Sequence, residues 1–231
     1  MSAPSSIALV TGAYKGIGLE VVRQLAARGT RVYLTARRRE EGERAAAGIK
    51  GDVHFLPLDV SEPSSIESAA RILEKQSDRL DVLVNNAAIL LDDGGSVLDL
   101  EGDIALKTFA TNTVGPLLVT QAFQPLLARS KAPRVINVSS GAGQLADGLQ
   151  DWAPAYSMSK TALNALTQHL AGALPQFAVN SVSPGWVRTD MGGSAAPLSV
   201  EQGADTVVWL ALDAPQSLTG KFLRERHEID W

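Results

Sequence analysis

The chain has 231 residues, 45% of them hydrophobic and 20% charged, with a formal net charge of −4, three His and no Cys. That length suits one domain with a real core. The charge balance argues against nucleic-acid binding, the lack of cysteine excludes disulfides and thiol chemistry, and three scattered histidines offer no metal-ligand cluster.

Met1 to Ser6 carries neither the basic region nor the apolar core of a signal peptide. No apolar run reaches the roughly 18 residues needed to span a bilayer. A cytoplasmic protein without a membrane partner is expected.

In chain order, Ile7 to Val10 reads as a short buried strand. Thr11-Gly12-Ala13-Tyr14-Lys15-Gly16-Ile17-Gly18 follows, then Leu19, Val22, Leu25 and Ala26 at helical spacing, with Gly29 as a stop. Strand, glycine turn and helix together are the setting of a dinucleotide fingerprint, although the spacing is G-x-x-x-G-x-G. Arg31 to Thr35 and Val53 to Leu58 read as further strands, with Pro57 weakening the end of the second. Ser61 is placed to cap a helix carrying Ile66, Ala69, Ala70 and Leu73. Val82 to Val84 is a strand, and a long helical stretch runs from Glu101 to Arg129, where Gly115-Pro116 predicts a bend near Asn112. Arg134 to Val138 and Ala178 to Val182 read as strands around a helix over 155–174, the stretch from Gly192 to Pro197 as a loop, Val200 to Leu212 as a helix, and Phe222-Leu223 as a short last strand. The alternation predicts an α/β fold over 1–231: a single-domain, Rossmann-type doubly wound parallel sheet with helices on both faces.

Tyr156-Ser157-Met158-Ser159-Lys160 follows this pattern with chemistry. Positions i and i+4 share a helix face, so an ammonium stands beside a phenol whose ordinary pKa is about 10. A nearby positive charge favours the phenolate, which suits a general acid/base acting on a carbonyl/alcohol pair.

The segments Thr11 to Gly18, Asp59-Val60, Asn85-Asn86-Ala87, Asn112, Ser140, Tyr156 with Lys160, and Pro184-Gly185 occur in an order that resembles the short-chain dehydrogenase/reductase family. Leu34-Thr35-Ala36-Arg37, Pro184 to Met191 and the tail at Trp231 resemble its carbonyl-reductase-like branch. The resemblance implies catalytic roles for Asn112, Ser140, Tyr156 and Lys160. Ser140 would hold the substrate oxygen, with Ser139 as a rival; Tyr156 would protonate it; Lys160 would lower the Tyr156 pKa and bond the nicotinamide ribose; Asn112 would support a water-linked proton path. It also implies cofactor contacts from Gly12, Lys15, Gly16, Ile17, Gly18, Arg37, Asp59, Val60, Asn86, Ala87, Tyr156, Lys160, Pro184, Gly185, Val187 and Thr189.

The cofactor expected is NADP(H). The resemblance puts Ala36, not a carboxylate, at the position that selects NAD, and Arg37 can grip a 2′-phosphate with its fork. Lys15 is a second cation, and Arg38 and Arg39 are further candidates. The family's usual Asn-Asn-Ala-Gly ends here in Ala88, adding a methyl at a tight turn.

The activity implied is NADPH-dependent reduction of an aldehyde, ketone or quinone to an alcohol, or its reverse. A non-catalytic NADP(H)-binding sensor is the rival, and epimerisation or dehalogenation a third chemistry for which no motif asks. Between Ser140 and Tyr156 the chain is only slightly longer than the common family spacing, its extra loop being Gln144 to Trp152. Trp152, Trp186, Leu145 and Met191 are candidates for an apolar pocket, with core packing as the competing reading. A long insertion would cover the helices near 101–129 and 155–174. Without it, Ala162, Ala165, Leu166, His169 and Leu170 are free to form part of a homodimer or homotetramer face.

Overall fold

A computed structural model describes residues 6–146 and 148–231; the N-terminal stretch in which no signal peptide was found lies, apart from Ser6, outside them. The elements in order are β1 Ile7–Val10, α1 Gly16–Ala27, β2 Arg31–Ala36, α2 Arg39–Ala47, β3 Val53–Pro57, α3 Pro63–Gln76, β4 Val82–Asn85, α4 Gly102–Phe109, α5 Gly115–Leu127, β5 Arg134–Val138, α6 Pro154–Ala173, β6 Ala178–Val182, α7 Val200–Leu212, β7 Lys221–Arg224 and β8 His227–Glu228. They build one eight-stranded sheet in the order β3-β2-β1-β4-β5-β6-β7-β8, parallel throughout except for the β7–β8 hairpin.

The period-2 alternation of each strand divides its side chains between two cores. Ala8, Val10, Val32, Leu34, Val82, Val84, Ile136 and Val138 point to the side where Val21, Val22 and Leu25 of α1 meet Ala204, Val207 and Leu210 of α7. Ile7, Leu9, Tyr33, Leu83, Val135 and Val179 point to the other, against Ile66, Ala69 and Leu73 of α3 and Val119, Phe123 and Leu126 of α5. The strand order reverses between β1 and β4, so their C-terminal ends border the crevice where ligands of such sheets bind.

Gly29 stops α1 as expected, taking the left-handed conformation (φ 80°) that closes a helix end. Ser61 does not cap α3. The N-cap is Glu62, without a side-chain bond, while Ser61 donates from its amide and hydroxyl to Asp59 Oδ1. Pro63 at the first helical position needs no capped amide and sets the start instead. The bend expected from Gly115-Pro116 is a single π turn, Ala110–Val114, spliced between α4 and α5. Pro57 closes β3 while still paired with Ala36, which is tolerated because β3 is an edge strand. Two features carry a local signature that the strand and helix pattern alone does not use. Ser199 and Gln202 form a capping box on α7. Glu225 and Arg226 both take positive φ, giving the two-residue turn that folds β8 back on β7.

Candidate active site

The C-terminal ends of β1, β2, β4, β5 and β6 open into one cleft of about 1550 Å³. One end is the glycine turn. Asn86 donates from its side chain to the carbonyls of Thr11 (2.9 Å) and Gly12 (3.2 Å), and the amides of Asn86 and Ala87 donate to Thr11 Oγ1. Gly12 has φ 59°, and a Cβ there would lie 2.9 Å from Ala87, so only glycine lets the turn press against the loop after β4. The N-cap of α1, Lys15, makes no side-chain capping bond. The first-turn amides of a twelve-residue helix therefore face the cleft uncapped by any side chain, and together with the cradle they suit a pyrophosphate. Ala88 is not among the non-glycine residues with positive φ, so its methyl imposes no backbone strain.

At the end of β2, Ala36 is buried and Arg37 is exposed on the cleft wall. Arg38 is tied to Glu41, and Arg39 to Glu43 at 2.8 Å, both away from the cleft. Arg37 belongs to no ion pair among the described residues, so of the three arginines it alone lines the cleft with its charge uncommitted. Lys15 lines the cleft too, and its Nζ pairs with Asp190 Oδ2 at 2.7 Å. That hydrogen bond raises the Lys15 pKa and lowers that of Asp190. Asp59 and Val60 line the wall below β3, and Pro184, Gly185, Val187 and Thr189 line the opposite side.

The other end holds Ser140, Tyr156 and Lys160. Three strands and a helix fix their relative placement through a buried polar chain. Asn85 of β4 donates to Asn137 of β5 (2.8 Å), Asn137 donates to Thr167 of α6 (2.9 Å), and the Thr167 hydroxyl is hydrogen-bonded to that of Ser181 of β6 (2.7 Å). Gly143 lets the turn after Ser140 lie directly on α6, since a Cβ there would meet Lys160 backbone at 2.6 Å. Ser140 lines the cleft close enough to the Tyr156 phenol to draw its pKa down, whereas Ser139 is buried and donates to the Lys160 carbonyl. The pair chemistry differs from the sequence expectation. Burial pushes the Tyr156 phenol above its ordinary value, and Ser140 acts in the opposite direction. Lys160 shares the face of Tyr156, its Nζ 5.6 Å from the ring centroid, and donates to Val138 O at 2.8 Å. Burial lowers the Lys160 pKa to about 7, so near neutrality it carries only part of the charge that would draw the phenol down.

Asn112 is fully buried in the π turn, with its side chain committed. It donates to Ile89 O (2.9 Å) and Ser159 Oγ (3.0 Å) and accepts from Ile89 N (2.9 Å), tying the loop after β4 to α6. Trp152, Trp186 and Met191 are exposed cleft-wall residues rather than core, and Leu145 is exposed outside it.

Sequence reasoning missed the loop that holds the start of α6. Asp92 Oδ2 accepts from Ala155 N at 2.6 Å, Asp93 accepts from Trp152 Nε1 at 3.0 Å, and Asp151 accepts from Ser96 and Val97. The N-cap itself, Ala153, sits in the left-handed region (φ 47°) and offers no side-chain cap. Asp92 does that work from sixty-three positions earlier in sequence, a distance no local pattern can bridge. Asp92→Ala is expected to cost about 1 kcal/mol, a fall of about 2–4 °C in melting temperature, and to lower kcat by loosening Tyr156. Asp92→Asn, which keeps an acceptor, should retain most of both. Calorimetry and turnover of the two variants check this.

A doubly wound sheet with a glycine turn, an uncapped helix start and a Tyr-Lys pair in one crevice defines a Rossmann-type protein equipped for carbonyl/alcohol chemistry. The family model for short chain dehydrogenase matches residues 6–197. A (+)-neomenthol dehydrogenase of Arabidopsis thaliana is 36% identical, over 89% of this chain and 90% of the relative. Carbonyl reductase (NADPH) 1 of Sus scrofa is 31% identical over 100% of this chain and 96% of the relative. That alignment spans 283 positions against 231 residues here, so the pig protein carries additional residues inside the matched region. Among solved structures, the carbonyl reductase Sniffer of D. melanogaster superposes with a TM-score of 0.89 at 29% identity, covering 99% of this chain and 100% of that one. The NADPH-bound carbonyl reductase from chicken fatty liver does so with a TM-score of 0.88 at 28% identity, covering 100% and 96%. The chain belongs to the short-chain dehydrogenase/reductase family, in its carbonyl-reductase-like branch, and is an oxidoreductase.

Proposed function

We propose that this protein is an NADPH-dependent carbonyl reductase that interconverts an aldehyde, ketone or quinone and its alcohol, with Tyr156 as the proton donor. The observation that carries the reading is Tyr156 with buried Lys160 on one helix face and Ser140 beside them, in the same cleft as the glycine turn and Arg37. The NADPH named for the pig and chicken relatives supports the cofactor.

The glycine turn, Asn86, Ala87 and the start of α1 would hold the pyrophosphate, Asp59 and Val60 the adenine, and Arg37 the 2′-phosphate. Pro184, Gly185, Val187 and Thr189 would border the nicotinamide, which supplies the hydride when bound. Ser140 would orient the carbonyl oxygen against Tyr156, and Tyr156 would give it the proton. A phenol held above its ordinary pKa stays protonated and ready for that step. Lys160 would bond the nicotinamide ribose, and Asn112 would position the loop and α6 around both.

Among the described residues no helix is long and apolar enough to cross a membrane, and no cluster of His, Cys, Asp and Glu could hold a metal ion. We also propose a homodimer or homotetramer built on α4, α5 and α6, where Leu106 (71% exposed) and Val114 (45%) leave apolar surface uncovered. A gel-filtration mass at the 24.4 kDa monomer would sink it.

The test of the activity is to mix the protein with a panel of aldehydes, ketones and quinones and follow NADPH absorbance, with NADH in parallel. Turnover with NADPH, and much weaker turnover with NADH, is expected. Cofactor binding without turnover of any carbonyl would count against a reductase.

A further inference from the structure

Arg224 stands at the C-terminal end of β7, one strand beyond the catalytic cluster, and lines the same cleft. The tight hairpin turn through Glu225 and Arg226 holds it there, and that turn is anchored to α7. Arg226 N donates to Thr206 Oγ1, and the Arg226 guanidinium pairs with Asp205. Arg226 is thus neutralised and Arg224 is not. The one hydrogen bond of the Arg224 side chain is a long one from Nε to Ser183 Oγ, 3.4 Å, and it belongs to no ion pair among the described residues.

Its neighbour explains how it reaches the cleft. Gly141 directly follows Ser140, and a Cβ at that position would lie 2.6 Å from Arg224 Nη2. The guanidinium fills the space that a side chain next to the catalytic serine would take. The guanidinium is partly buried, and its terminal N–H groups have no protein acceptor among the described residues, so they are open to a ligand that brings acceptors. Its two terminal nitrogens form a fork that matches a carboxylate. The pyrophosphate end of the cleft is not a competing use, because Arg224 sits with Gly141 and Ser183 at the serine end.

We propose that Arg224, admitted by Gly141, is a specificity residue that selects carbonyl substrates bearing a carboxylate. This rests on the reductase reading above. It predicts that oxo acids or carboxyl-substituted aldehydes are reduced in preference to their neutral esters.

The test uses carboxybenzaldehydes with the carboxylate ortho, meta or para to the aldehyde, each beside its methyl ester, with saturating NADPH. For at least one isomer kcat/KM for the acid should exceed that for the ester by about tenfold or more, and Arg224→Gln should remove that preference through the KM of the acid. Arg224→Lys should recover part of it. Gly141→Ala keeps the charge but displaces the guanidinium, and should lower the acid-to-ester ratio as well. A wild-type ratio at or below one for all three isomers overturns the proposal. So does a ratio unchanged in Arg224→Gln, or a loss falling equally on acid and ester. If no carbonyl is turned over, the reductase reading fails on its own. Titration calorimetry of the hydroxymethylbenzoates against their methyl esters, on the NADP⁺-saturated protein, then decides Arg224 by the same ratios of affinity.

Discussion

Tyr156→Phe is expected to lower kcat by about 10²–10⁴-fold, the range lost with a general acid, while leaving NADPH affinity close to wild type. The ring is buried beside Trp152, edge-on at 6.5 Å, and Phe keeps that packing. The change removes one hydroxyl, the group that stands near Ser140. Single-turnover kinetics with NADPH fluorescence as the binding readout separates the two effects. A variant that binds NADPH and still reduces carbonyls at the wild-type rate would remove Tyr156 from the chemistry. A wild-type protein that never turned over, with a partner function unaffected by the substitution, would point to the sensor.

Arg37→Ala is expected to raise the KM for NADPH by about 10–100-fold, the worth of a charge-assisted hydrogen bond converted to affinity, with little change for NADH. Arg37 is exposed, so the substitution removes no core packing. Arg38 and Arg39 are committed to Glu41 and Glu43 and are poorly placed to compensate. Lys15 is a further cation on the cleft wall, and its pairing with Asp190 offsets part of the charge that it would offer a phosphate. The effect should shrink as salt rises, because the contact is made at the surface. Equal loss for both cofactors would show that Arg37 supports the loop and not the 2′-phosphate.

The elements that the chain announces locally are those in which pattern and context agree. β5, β6 and α7 follow their sequence bounds, because apolar period and turn residues mark both ends. The glycine turn was legible for the same reason: Gly12 and the residues that oppose it lie in recognisable segments. The start of α3 was misread because Ser61 has two possible partners, and Asp59, two residues away, competes better for it than an amide of the helix.

Within the site, the sequence determined which groups are present: a phenol and an amine on one helix face, two serines at a strand end, and at the end of β2 an alanine where a carboxylate would select NAD, followed by an arginine. It could not set their electrostatics. The fall of Lys160 to about 7 and the rise of Tyr156 come from burial under three strands, a property of the assembled cleft and not of the i, i+4 spacing. Nor could it find Asp92 or Arg224. Asp92 meets Ala155 across a long stretch of chain, and Arg224 meets Gly141 only because β7 lies beside β6 in the finished sheet. Local propensity and spacing act over one turn or one strand. Solvent exclusion and contacts between distant segments exist only once the sheet has closed, and these decided which charges are paired and which line the cleft.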